Sequence, residues 1–173
     1  RAFDFQAPLD LIRAAREFED RMRDPHTGLW KYSLNPETGV VEEPWCTWCH
    51  GAPGMSLSYL AEFALTGSQH AERAALEASQ INVDTGKCDV SSVCCGQMGR
   101  AICLAEVGKA MNRPEWVSMA EEWIQTAAIL NSEPLPNPTL FKGMAGIGSG
   151  LLLADSAMRL NPIPWFSIDQ FEL

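Results

Sequence analysis

Three short stretches of this chain say nearly the same thing: TWCHGAPG (47–54), SSVCCGQMG (91–99) and LFKGMAGIG (140–148). Their leading glycines, Gly51, Gly96 and Gly143, stand 45 and 47 residues apart. Each is followed three residues later by a second glycine, Gly54, Gly99 and Gly146. Each pair opens an apolar segment: MSLSYLAEFAL, RAICLAEVGKAM and IGSGLLLADSAM. These segments are apolar around most of their circumference, the signature of buried helix. A period in the forties built on helices is a repeat architecture.

The rest of the unit follows from stop and start signals. Sixteen residues after Gly51 stands Gly67, and sixteen after Gly96 stands Asn112. Both end a helix, and Pro114 suits the first turn of the next. The restarted helices are expected over about Ala71–Ile81 and Pro114–Leu130. The second carries Trp116, Ala120, Trp123, Ala127 and Leu130 along one face, with Glu115, Glu121, Glu122 and Gln125 largely elsewhere. That is an amphipathic outer helix. A helix over Leu9–Met22, with Leu11, Ala15, Phe18 and Met22 on one stripe, reads as the outer helix of a preceding unit. No segment shows sustained strand alternation. The expectation is an all-α fold: an inner ring of helices inside an outer ring, an α/α toroid.

About three units cannot close such a ring, and the chain opens on RAFDFQAPLD without a methionine. Residues 1–173 are therefore expected to be the C-terminal part of a larger domain whose N-terminal repeats lie outside this chain. The net charge of -9 argues against nucleic acid as a main partner. No apolar run is long enough to span a membrane, and no signal-peptide pattern opens the chain. With 173 residues and 46% hydrophobic content the chain can bury a core without disulfides. Its six cysteines are expected to be reduced thiols of a cytoplasmic protein.

The glycine loops place chemistry at helix N-termini. A sharp turn into a helix needs positive φ or close backbone approach, and it presents free N–H groups that favour anions such as thiolates. Cys49 and His50 precede Gly51, Cys94 and Cys95 precede Gly96, and Lys142, which is no ligand, precedes Gly143. Equivalent loops of neighbouring repeats meet at one end of a toroid, so Cys49, Cys94 and Cys95 can converge on one ion. Three thiolates suit zinc and leave one tetrahedral position open, which separates a catalytic site from a structural one. Each cysteine also has a plainer reading as a small core residue. Cys46, in the C-x-x-C of CTWC, is an alternative fourth ligand that would close the site, or half of a redox pair. Cys88 reads as a loop thiol and Cys103 as core. His50 is strained as a fourth ligand by its adjacency to Cys49, but beside the metal it suits an acid–base role. His26 reads as a surface-loop residue and His70 as the start of an outer helix.

WCHGAPG (48–54), the Cys94–Gly99 motif and LFKGMAGIGSGLL (140–152) together resemble the LanC-like lanthionine cyclases, in order and over nearly the whole chain. The form of the first motif looks most like the C-terminal cyclase domain of class II lanthipeptide synthetases, and the ending IPWFSIDQFEL also looks like that family's C-terminus. The resemblance implies a zinc-dependent cyclase acting on a dehydrated precursor peptide. A peptide thiol, held as thiolate by zinc, would add to dehydroalanine or dehydrobutyrine to give a thioether ring, and the enolate would then take a proton from a general acid. The missing N-terminal part of the same synthetase would supply a further acid–base histidine and a dehydratase domain. The family's second ligand motif usually reads Cys-His-Gly; here it is Cys94-Cys95-Gly96, resembling enzymes with a three-cysteine site. His50 stands where some cyclases carry tyrosine. Three other readings are weighed against this one. A LanC-like scaffold without cyclase activity would bind zinc and thiols of the glutathione type. A toroidal hydrolase would need paired carboxylates that these loops do not offer. A structural zinc or redox module would use Cys46.

Overall fold

The computed structural model describes residues 6–31, 37, 45–130 and 138–154. Six helices are present among them: α1 Gln6–Met22, α2 Ala52–Thr66, α3 Gln69–Asp84, α4 Gln97–Ala110, α5 Pro114–Leu130 and α6 Met144–Ala154. The described residues contain no strand, only an isolated antiparallel bridge between Arg23 and Trp30. The all-α expectation holds. No helix of the described residues is long and apolar enough to cross a membrane. The C-terminal stretch IPWFSIDQFEL and the end of the third apolar segment lie outside the described residues.

The chain divides into two compact units, Arg1–Trp45 and Cys46–Leu173. In the first, α1 covers the helix expected over Leu9–Met22. Its apolar stripe differs from expectation: Leu11 and Phe18 are 71% and 56% exposed, whereas Arg16 is buried and ion-paired to Glu19 at 2.6 Å. Periodicity identifies which face of a helix is apolar and is silent on whether a partner covers it. Beyond α1, the Asp24 carboxylate accepts the N–H groups of His26 and Thr27 at 2.8 and 3.0 Å. These bonds hold its carboxyl below the usual range and fix a surface turn that carries His26, as expected.

In the second unit α2, α4 and α6 form one layer, with α2 against α4 and α4 against α6, while α3 packs on α2 and α5 on α4. Each outer helix also touches the next inner one, α3 on α4 and α5 on α6. This alternation of inner and outer helices is the repeat unit of an α/α toroid. The punctuation falls where the sequence puts it. Gly67 ends α2 in the left-handed region at φ 65° and returns its N–H to the Phe63 carbonyl at 2.8 Å. Ser68 then caps α3 through the Ala71 N–H. Asn112, at φ 52°, makes the same reversal between α4 and α5.

Burial grades across the inner layer. Gln97 to Leu104, Val107 and Gly108 of α4 are all buried, because α4 has inner neighbours on both sides and outer helices behind it. Leu65 of α2 and Leu151 and Leu152 of α6 are 47%, 40% and 41% exposed. Among the described inner helices, α2 and α6 each have an inner-layer neighbour on one side alone. On α5, Trp116, Ala120, Trp123 and Ala127 are buried and Glu115, Glu121, Glu122 and Gln125 exposed, matching the amphipathic reading. Under them lies a polar knot. Arg100, 1% exposed, donates from Nε to Asn82 Oδ1 at 2.9 Å and from Nη2 to the Asn82 carbonyl at 2.7 Å. Asn82 Nδ2 returns a bond to the Arg100 carbonyl at 3.0 Å, and the guanidinium lies 5.3 Å from the Trp123 ring centroid. One inner helix is thereby pinned to both outer helices.

Candidate metal centre

The three glycine loops use their glycines for two different reasons. Gly51 sits at φ 130°, a conformation side chains rarely tolerate. The second glycine of each pair is required by close approach instead. A Cβ on Gly54, Gly99 or Gly146 would run into the carbonyl oxygen of Trp48, Val93 or Leu140, in each case six residues upstream. Each loop is thus folded tightly over the first turn of its inner helix. That brings residues 49, 94 and 141 to the same place in successive repeats.

Those three residues are stitched to one another. The Cys49 N–H donates to the Cys94 carbonyl at 3.3 Å, and the Cys94 N–H donates to the Phe141 carbonyl at 2.7 Å. Trp48 and Phe141 stack across the same rim, ring centroids 5.2 Å apart and 5° from parallel. The ladder draws the thiols together. Cys95 Sγ is 3.5 Å from Cys49 Sγ and 3.4 Å from Cys94 Sγ, and the three sulfurs all lie within 4.8 Å of one another. No disulfide joins them.

This donor set fits zinc. A tetrahedron with arms of ~2.3 Å, the usual zinc–sulfur bond, has edges of about 3.8 Å, close to the separations found. Three soft donors suit it, and all three cysteines are partly buried. The thiols stand just ahead of the N-termini of α2 and α4, where unpaired N–H groups and the helix dipole favour negative charge.

Their protons are unequally held. Burial pushes the Cys49 thiol up, but hydrogen bonds with Thr47, Cys94 and Cys95 outweigh it and leave Cys49 below the ordinary thiol range. Thr47 Oγ1 lies 3.6 Å from Cys49 Sγ and is itself fixed by the His50 backbone, accepting its N–H at 3.2 Å and donating to its carbonyl at 3.1 Å. Burial, then hydrogen bonding with Cys49 and Cys95 and then their charge, push Cys94 up to about 12. Cys95 is also raised, chiefly by burial, with the positive charge of Lys142 pulling against it. Within the group Cys49 is held low while Cys94 and Cys95 are held high, and the negative charge of Cys49 adds to the rise of both.

Cys49, Cys94 and Cys95, expected from the sequence to meet, do so. Cys46 does not join them. Its thiol hydrogen-bonds Thr85, lies in the field of Arg100, and is raised mainly by burial. Cys46 is not part of the thiol cluster, and no disulfide joins it to Cys49. Cys103 is fully buried core, and Cys88 sits in a loop with its thiol on the Val90 carbonyl at 3.3 Å. His70 opens α3 on the surface, edge-on to Tyr59. His50 is exposed on the loop beside Cys49 and is not among the clustered ligand atoms.

Sequence reasoning missed Thr47 and Phe141. Phe141 had a usable signal: on the repeat it aligns with Cys49 and Cys94.

A family model described as lanthionine synthetase C-like protein matches residues 5–168 of the chain. No curated protein matches it significantly. With the match covering almost every residue, the chain belongs to the lanthionine synthetase C-like family.

Proposed function

We propose that this member of the lanthionine synthetase C-like family is the C-terminal part, residues 1–173, of a zinc-dependent lanthionine and methyllanthionine cyclase of the class II, three-cysteine type. The observation that carries the reading is the convergence of Cys49, Cys94 and Cys95 on repeat-equivalent loops, at helix N-termini, with their sulfurs within 4.8 Å of one another. Zinc held by these three sulfurs would supply Lewis acidity at its open position, lowering the pKa of an incoming thiol to give a nucleophile at neutral pH.

The substrate is a dehydrated precursor peptide. Its thiol loses a proton, and the sulfur forms a bond to the β-carbon of dehydroalanine or dehydrobutyrine. The electrons of the double bond move onto the α-carbon and amide oxygen, and the α-carbon then takes a proton. The chain's residues divide this work. Cys49, Cys94 and Cys95 would hold the metal, and Thr47 fixes Cys49 through its hydroxyl. His50 is assigned the proton: its imidazole would accept one near the thiol or deliver one to the α-carbon. The remainder of the synthetase would complete the ring of helices and deliver dehydrated peptide in the cytoplasm.

The test is cyclisation of a peptide carrying one cysteine and one dehydroalanine by the zinc-loaded synthetase. Ring closure leaves the mass unchanged, so the readout is loss of a thiol that an alkylating reagent can cap. Parent protein should protect the thiol, and His50→Ala should slow protection by about 100-fold, the usual reach of a general acid–base group. A folded, zinc-loaded synthetase that leaves every thiol open to alkylation would contradict the cyclase reading and favour a thiol-binding scaffold.

A further inference from the structure

We propose that Lys142, on the third glycine loop, is a positioning residue of the thiol site: its ammonium group balances the negative charge that collects there and sets how tightly an incoming thiolate is held. The inference rests on the metal-centre reading above and extends it to a residue that is not a ligand.

The argument starts from the backbone ladder. Residues two positions ahead of each leading glycine are Cys49, Cys94 and Phe141, and they are joined in order by the Cys49 N–H to Cys94 carbonyl and Cys94 N–H to Phe141 carbonyl bonds. The residue that follows each is His50, Cys95 and Lys142. Cys95, the middle member, places its sulfur between those of Cys49 and Cys94. Lys142 therefore occupies the same register one repeat along, on a loop tied directly to Cys94. It follows Phe141, whose ring is held by stacking on Trp48, the neighbour of Cys49. The third loop is fixed to both ligand loops at once.

Charge completes the case. Three thiolates and a divalent ion sum to a net charge of -1, and a fourth thiolate brings the site to -2. Glu106 pairs with Lys109, Glu122 with Lys87 and Glu115 with Arg113. Lys142 is exposed and forms no ion pair among the described residues. A neutral thiol that binds as thiolate adds one negative charge beside this ammonium, so the lysine favours binding whatever the rest of the peptide contains.

The experiment uses cobalt(II) in place of zinc and 2-mercaptoethanol as probe, because a neutral thiol has no carboxylate to confuse the result. Thiol binding is read from the sulfur-to-cobalt charge-transfer absorption. Lys142→Met should weaken 2-mercaptoethanol binding roughly 3- to 10-fold at low salt, the size of a partly screened charge pair. The difference should shrink as salt rises. Lys142→Arg should bind like the parent. Lys109→Met removes the same charge from a distant surface and should also bind like the parent. Equal affinity in Lys142→Met and parent would overturn the inference, and so would an equal loss in Lys109→Met. A folded parent that takes up no cobalt would instead remove the metal-centre reading, a separate result visible before any thiol is added.

Discussion

Replacing Gly99 by alanine adds one methyl group at the point where the second glycine loop crosses its own helix. The added Cβ would overlap the Val93 carbonyl oxygen and meet Trp48 Cβ at 3.1 Å. The first obstacle is backbone and cannot rotate away, so either the loop or the first turn of α4 must move. Inserting a methyl group into close-packed surroundings destabilises by about 1–3 kcal/mol. The helix propensity of alanine offsets at most ~1 kcal/mol of this. The net expectation is a loss of about 1–2 kcal/mol, or roughly 2–8 °C in melting temperature for a chain of this size. The displaced peptide unit is Val93–Cys94, whose N–H makes the 2.7 Å bond to Phe141. Cobalt affinity should fall with stability. Gly148→Ala is the matched control, because a Cβ there meets nothing within 4 Å and the residue lies inside α6. It should stabilise by about 0.5–1 kcal/mol. Thermal and urea unfolding followed by circular dichroism, with chelator present, give both signs. A Gly99→Ala protein as stable as the parent would refute the close-approach argument for all three loops.

Two further outcomes follow from the same structure. Asn82→Ala removes the Oδ1 acceptor of Arg100 Nε and the Nδ2 bond to the Arg100 carbonyl, leaving the buried guanidinium only its bond to the residue-82 carbonyl, and should lose about 1–3 kcal/mol, whereas Arg100→Met removes the charge and keeps an apolar chain under Trp123, so its loss should be smaller; the order of the two urea midpoints checks this. Metal binding should strengthen as pH rises, because Cys94, pushed up to about 12, and the raised Cys95 both carry protons near neutrality that the metal must displace. Chelator competition between pH 6 and 8 should give a slope of about 2–3 in log affinity per pH unit, one for each thiol proton released, and a flat profile would contradict the three-thiol site.

Where the sequence was legible, it was so for local reasons. Gly67, Asn112 and Pro114 act within one turn of chain, and each does in three dimensions what its residue type dictates. The glycine pairs at near-constant spacing exposed the repeat, and the repeat placed Cys49, Cys94 and Cys95 together before any coordinates did. What sequence could not supply was the neighbour. Arg100 carries a charge into a buried helix, and only the approach of Asn82 and Trp123 makes its burial tolerable. Leu11 and Phe18 read as packed and are exposed. Cys46 and Cys49 looked like one motif, yet Cys49 joins the thiol cluster and Cys46 does not. Lys142 was set aside because it cannot ligate a metal, although its register was visible; charge acts over distances that a ligand motif does not describe.

The most direct test is the zinc content of the purified chain beside Cys94→Ala, Cys95→Ala and Cys46→Ala. The account predicts one zinc per chain in the parent and in Cys46→Ala, and loss of zinc in both Cys94→Ala and Cys95→Ala. A folded parent without zinc, or zinc retained at full affinity after Cys95→Ala, would contradict it.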